Sequence, residues 1–137
     1  MIKYMNLIGQ NAKKASLEKI NTKTKNKILK RYALLLNKEK SSIIIENTKD
    51  IKFALKKGLK KNLIDRLAIN HKKLDNIRAS VNKIIKLKDP IDNTLEKWSR
   101  PNGLKIKRVS IPIGVIGVIY ESRPNVTSDV ASLCFKS

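Results

Sequence analysis

Up to Pro90 the apolar positions recur with the roughly 3.6-residue period of amphipathic helices. The most regular segment is the last. Leu74, Ile77, Val81, Ile84 and Ile85 fall at offsets of 0, 3, 7, 10 and 11, with Asn70 placed to cap the start and Asp89-Pro90 to close the end. Three longer segments precede it. Tyr4 to Lys19 carries Met5, Ile8, Ala12 and Ala15 at helix-like but irregular spacing. A second helix, capped by Thr22 or Thr24, presents Ile28, Tyr32, Leu35 and Leu36. A third, capped by Ser41 or Ser42, presents Ile44, Thr48, Ile51 and Leu55, and Gly58 suits the left-handed residue just past its end. Asn62 to Leu67 reads as a short helical piece leading to Asn70.

After Pro90 the period changes. Thr94–Ser99 and Leu104–Ile111 read as two strands joined by Arg100-Pro101-Asn102-Gly103, and Asn-Gly is a strong hairpin signal. Ile113 to Tyr120 is a continuous apolar run without alternation, the pattern of a strand buried on both faces of a parallel sheet. The loop Glu121-Ser122-Arg123-Pro124-Asn125-Val126 follows. Thr127 or Ser128, with Asp129, then opens a helix through Ala131, Leu133 and Phe135. A buried strand needs neighbours on both edges, and a parallel neighbour needs a crossover helix and a further strand. The chain is therefore expected to be the front of a larger α/β domain: a helical region over 1–90, a β-hairpin over 91–112 and a first β-loop-α unit over 113–137. No fixed-period repeat is present.

Composition changes this picture little. At 137 residues the chain has room for one ordinary domain. A single cysteine, Cys134, allows no internal disulfide. No apolar run approaches a membrane span, and the polar start does not resemble a secretory signal, so a cytoplasmic protein is expected. The formal charge of +20 raises nucleic acid or an anionic surface as a partner. Its distribution argues against that. Residues 1–90 hold 24 Lys/Arg against 7 Asp/Glu, spread over nearly every helical turn, and residues 91–137 hold 7 against 4. Most are lysines, and few aromatic rings accompany them for base stacking. A generically basic, solvated surface is the expectation.

Candidate chemistry is sparse. Cys134 sits on the helical pattern Val130, Leu133, Cys134 with no histidine near it, and reads as a small packing residue rather than a nucleophile. His71, the lone histidine, reads as a surface residue. No Cys, His, Asp or Glu cluster has metal-ligand spacing. Gly114 and Gly117 do not form a G-x-G-x-x-G turn and do not follow the apolar run, so they read as positions of close backbone packing or of a bend at the strand start. The loop Glu121–Asn125 is the better site. It follows the carboxyl end of a predicted strand, where open α/β sheets bind ligands, and leads into a helix amino terminus suited to an anion.

Ile111-Pro112-Ile113-Gly114-Val115-Ile116-Gly117-Val118-Ile119-Tyr120-Glu121-Ser122-Arg123-Pro124-Asn125-Val126-Thr127, with Asp129 to Cys134 and Lys136 behind it, resembles the gamma-glutamyl phosphate reductases, or glutamate-5-semialdehyde dehydrogenases. Gly58-Leu59, Leu63 to Ala68 and Arg100 to Leu104 are similar to upstream parts of the same family. The resemblance implies an incomplete aldehyde dehydrogenase-like fold: amino-terminal helices, an oligomerisation hairpin whose Trp98 and Leu104 face another subunit, and the first strand-helix unit of a Rossmann-like domain. It implies NADPH-dependent reduction of gamma-glutamyl phosphate to glutamate 5-semialdehyde and phosphate, in proline biosynthesis, by a homo-oligomer. The family's nucleophilic cysteine lies in a later domain, so the chain alone is expected to be inactive. Glu121, Ser122, Arg123, Pro124 and Asn125 would line the cofactor and active-site cleft. There Asn125 would donate to an oxyanion and Arg123 would meet a phosphate, unless Arg123 merely pairs with Glu121 and Asn125 only shapes the turn. The competing readings are a basic nucleic-acid-binding protein and a module that joins full-length subunits through its hairpin.

Overall fold

The computed structural model describes residues 2–121 and 123–137 as six helices and one two-stranded sheet. Two compact units emerge. One gathers the residues up to Ile20 with Lys88–Gly117, the other Asn21–Leu87 with Val118–Lys136.

The second unit holds the core. It consists of α2 (Thr22–Lys38), α3 (Lys40–Lys56), α4 (Lys61–Leu67), α5 (His71–Lys86) and α6 (Pro124–Lys136). Leu29 and Ala33 of α2 meet Val81 and Ile84 of α5, and Tyr32, Leu36, Ile85 and Phe135 close around them. The α5 stripe is the predicted one, with Leu74, Ile77, Val81 and Ile84 all buried. Asn70 caps it by accepting from Lys73 N at 2.8 Å.

The α2 stripe is rotated from the expected one. Its buried residues are Lys25, Leu29 and Ala33, while Ile28 and Leu35 stay largely exposed. Two apolar stripes overlap on this helix, and the small Ala33 lets α5 approach closely along one of them. The cap is Asn21, whose side chain accepts from Thr24 N at 2.9 Å, in place of Thr22 or Thr24. Glu39 precedes α3 without a side-chain cap, so Ser41 and Ser42 lie inside that helix. The end of α3 is as expected. Gly58 takes φ +70°, Leu59 N reaches Ala54 O at 3.1 Å and Gly58 N reaches Leu55 O at 3.0 Å, a Schellman closure.

Buried polar groups tie the helices together. Asn47 of α3 donates to Leu67 O at 3.0 Å and accepts from Ile69 N at 2.7 Å, which pins the α4–α5 connection. Lys25 Nζ donates to Lys136 O at 3.1 Å, and Lys136 Nζ donates to Asn26 Oδ1 at 2.6 Å. Accordingly α6 turns Ser128, Ser132 and Lys136 inward at four-residue spacing. Cys134 is therefore exposed, not packed, because the face that meets the bundle is this polar one.

The first unit contains α1 (Ile2–Ser16), none of whose described side chains is fully buried, and the hairpin β1 (Thr94–Ser99) and β2 (Lys105–Val109). The hairpin pairs Trp98 with Ile106 and Ser99 with Lys105, and a register shift falls between Thr94 and Glu96. Gly103, at φ +83°, donates to Arg100 O at 2.9 Å in the turn, as Asn-Gly predicts. β2 is shorter than expected at both ends.

The predicted strand Ile113–Tyr120 does not form a ladder; it is irregular and exposed throughout. The reason is plain. A strand exists through its partners' hydrogen bonds, and the one sheet among the described residues, β1 with β2, does not pair with this run. Among the described residues no helix is long and apolar enough to cross a membrane.

Candidate functional site

The loop into α6 is shaped by local contacts. Tyr120 Oη and Thr127 Oγ1 lie 2.7 Å apart, joining the approach to the loop with the first turn of α6. Val126 N donates to Arg123 O at 3.1 Å. The helix begins at Pro124, ahead of both expected caps, Thr127 and Ser128. The fixed φ of proline suits a first helical position, where its missing N–H would have had no intrahelical partner anyway.

Glu121 is the charged hub. Its Oε1 accepts from Arg123 Nε at 2.6 Å, and both its oxygens accept from Arg66 Nη1 at 3.1 Å. The Arg123–Glu121 pair is the plainer of the two sequence readings for Arg123. The contribution of Arg66 from α4 is new, and nothing in the local pattern announces a partner 55 positions away. The hydrogen bond from Arg123, then the charges of Arg66 and Arg123, hold the Glu121 carboxyl below its ordinary value of 4.5.

A group whose folded-state pKa is depressed stabilises the fold above its unfolded value and loses that contribution as pH falls through the folded one. The attachment of this loop to α4 is thus expected to persist at neutral pH and to let go in acid, below 4.5. A carbon-detected titration of the Glu121 carboxyl should find its midpoint under that value, and Arg123→Gln should move it back up. A midpoint indifferent to Arg123→Gln would show that the ion pair is not formed in solution.

Arg66 also belongs to the wall of a cavity of about 260 Å³, with Lys73, Asn76 and Ser80 of α5 and Asn125 and Asp129 of α6. Asn125 Nδ2 donates to Asp129 Oδ2 at 3.3 Å. Lys73 Nζ donates to Asp65 O at 3.0 Å and Ala68 O at 2.6 Å, closing over the end of α4. Of the residues read from the sequence, Pro124 and Asn125 line the cavity, and Glu121 and Arg123 connect to it through Arg66. Ser122 lies outside the described residues. His71 is exposed at the start of α5. Lys73, Asn76 and Ser80 were not singled out by sequence, and Asp129 only as a residue opening the last helix. The i, i+3, i+7 spacing of the first three on α5 matches a polar flank of the apolar stripe, which looks the same whether it faces solvent or a cavity.

No protein-family model matches the chain. It is 46% identical over 136 residues to the gamma-glutamyl phosphate reductase of Sulfurihydrogenibium sp. (strain YO3AOP1), a match covering 98% of this chain and 30% of that protein. It is 49% identical over 118 residues to the gamma-glutamyl phosphate reductase of Nautilia profundicola, covering 86% and 29%. The crystal structure of the Thermotoga maritima gamma-glutamyl phosphate reductase superposes with a TM-score of 0.88 at 40% identity, over 93% of this chain and 31% of that one. The Saccharomyces cerevisiae enzyme of the same name gives 0.88 at 29% identity, over 96% and 34%. The chain thus spans about 30% of the length of the curated relatives it matches, in their amino-terminal part.

Proposed function

We propose, for a chain related along its whole length to the amino-terminal part of the gamma-glutamyl phosphate reductases, that it supplies one wall of such a reductase's active site. The reaction is the reduction of gamma-glutamyl phosphate to glutamate 5-semialdehyde and phosphate with NADPH, a step toward proline. The observation that carries this reading is the joint one of sequence and geometry. The stretch Ile111–Thr127 that resembles the family ends in a loop whose Asn125 lines a cavity with Arg66, and Arg66 and Arg123 meet on Glu121.

The residues present fit part of a cofactor site. Arg123 commits only its Nε to Glu121, which leaves its terminal nitrogens for an anion such as a phosphate of the cofactor or the substrate. The cavity of about 260 Å³ is smaller than the roughly 300–1,000 Å³ usual for small-molecule pockets, so the described residues enclose no whole dinucleotide. NADPH, when bound, supplies the hydride. The role of this chain is to position.

Asn125 is held through Asp129, and its second amide N–H is free to donate to the oxygen on which negative charge develops. Glu121 keeps Arg123 and Arg66 together at the loop. The reactive cysteine, by resemblance to the family, belongs to the later catalytic domain and not to Cys134. The hairpin leaves Trp98 and Leu104 partly exposed, which suits an oligomer contact of the complete enzyme.

A chimera tests the reading. This chain would replace the matching segment of the Sulfurihydrogenibium reductase, and the purified protein would be assayed in reverse, as phosphate-dependent reduction of NADP⁺ by glutamate 5-semialdehyde. Turnover comparable with the parent, and preference for NADP⁺ over NAD⁺, is the expected result. A chimera that folds and assembles like the parent yet shows no turnover would overturn it.

A further inference from the structure

Among the described carboxylates, Asp129 is the one with an oxygen both buried and without a hydrogen-bond partner. It is half-buried in the cavity wall and makes no ion pair among the described residues. Its Oδ2 has a single long bond, 3.3 Å, from a neutral amide. Its Oδ1 is shut off from water and accepts no hydrogen bond from the described residues. An ionised carboxylate can accept about four hydrogen bonds, and leaving one under-satisfied in a partly closed space is unfavourable. The same wall carries cations. Arg66 has donors beyond the Nη1 given to Glu121, and Lys73 has a third N–H beyond the two given to carbonyls.

An under-satisfied anion and two cations with donors to spare on one small cavity match a zwitterion. We infer that Asp129 is a specificity residue that accepts the α-ammonium group of the amino-acid substrate, with Arg66 and Lys73 on the side of its α-carboxylate. This rests on the reductase reading and assigns the head group of that substrate to this cavity, with the reacting end toward Asn125. The soft torsion about Cβ–Cγ of an aspartate carboxyl lets Oδ1 swing toward the ammonium. The charge-assisted bond so formed is the stronger kind, and it exists only for a substrate that bears the amine.

The discriminating comparison uses two aldehydes that differ only in that amine: glutamate 5-semialdehyde and 5-oxopentanoate. The unaltered chimera is expected to favour the amino aldehyde in kcat/KM. Asp129→Asn, which keeps the shape and an acceptor for Asn125, should raise KM for the amino aldehyde about tenfold to a hundredfold more than for 5-oxopentanoate, over and above any change in kcat common to both. The preference then collapses. A role only in holding Asn125 would instead lower kcat for both aldehydes alike, and would overturn the inference. So would an unchanged preference, the result expected if Oδ1 merely takes a water. A chimera that turns over neither aldehyde before any substitution sinks the reductase reading, and this assignment with it. Normal turnover with a preference insensitive to Asp129→Asn sinks this assignment alone.

Discussion

Leu29→Ala is expected to lower the unfolding free energy of the helical unit by about 2–5 kcal/mol, the range for emptying a large aliphatic side chain from a packed interior. Leu29 is 3% exposed and sits between Ala33, Val81 and Ile84, so its removal opens a cavity where α2 crosses α5. Leu34, five positions on in the same helix, is 67% exposed, and Leu34→Ala should change stability by no more than about 0.5 kcal/mol. Stabilities of small domains are about 5–15 kcal/mol, so the first change removes a large share and the second is hardly visible. Urea unfolding followed by far-ultraviolet circular dichroism separates the two. Leu29→Ala should shift the midpoint at nearly constant slope. Equal shifts for both variants would mean that the contact between α2 and α5 is not as described.

The contrast between Leu29 and Leu34 also shows what a sequence can and cannot say. On α5 only one stripe is apolar, so the period alone identifies Leu74, Ile77, Val81 and Ile84. On α2 Ile28, Leu29, Tyr32, Ala33, Leu34, Leu35 and Leu36 cover more than half the circumference, and pattern cannot choose among overlapping stripes. The partner helix chooses, and it takes the one with Leu29 and the small Ala33. Caps behave similarly. Asn70 stands alone before its helix and was legible, whereas Asn21, Thr22 and Thr24 are all competent caps and only the chain direction on entry picks Asn21.

The run Ile113–Tyr120 failed for another reason. Its apolar character is a property of the segment, but a strand is a property of the segment and its neighbours together. Left without them, Ile113, Val115, Ile116, Val118 and Ile119 are all exposed. The same logic explains α6, which offers its inward side as Ser128, Ser132 and Lys136 and turns Leu133 and Cys134 outward. The site was half legible. The loop Glu121–Asn125 announces itself by following an apolar run and preceding a helix, while Arg66, Lys73 and Asp129 reach the site only through the packing of α4, α5 and α6.

Asn125→Ala in the chimera is expected to reduce kcat about 10²–10³-fold, the loss seen when one preorganised oxyanion donor is removed. Asn125 lies in the first turn of α6, one position after the proline that fixes the start of the helix, and its amide is steered by Asp129 at 3.3 Å. One N–H is used there and the other is free, so the donor is oriented before substrate arrives and no rearrangement is needed as charge develops. Such a group acts on the transition state more than on the ground state, and KM should therefore change much less than kcat. Asn125→Asp sharpens the test. It keeps size and helix start but replaces a donor with an anion, which would repel an oxyanion and face Asp129 as a like charge, so the loss should be at least as large. If Asn125→Ala instead raised KM with kcat intact, Asn125 would be a binding residue that shapes the turn. The oxyanion would then have to be met by donors outside this chain.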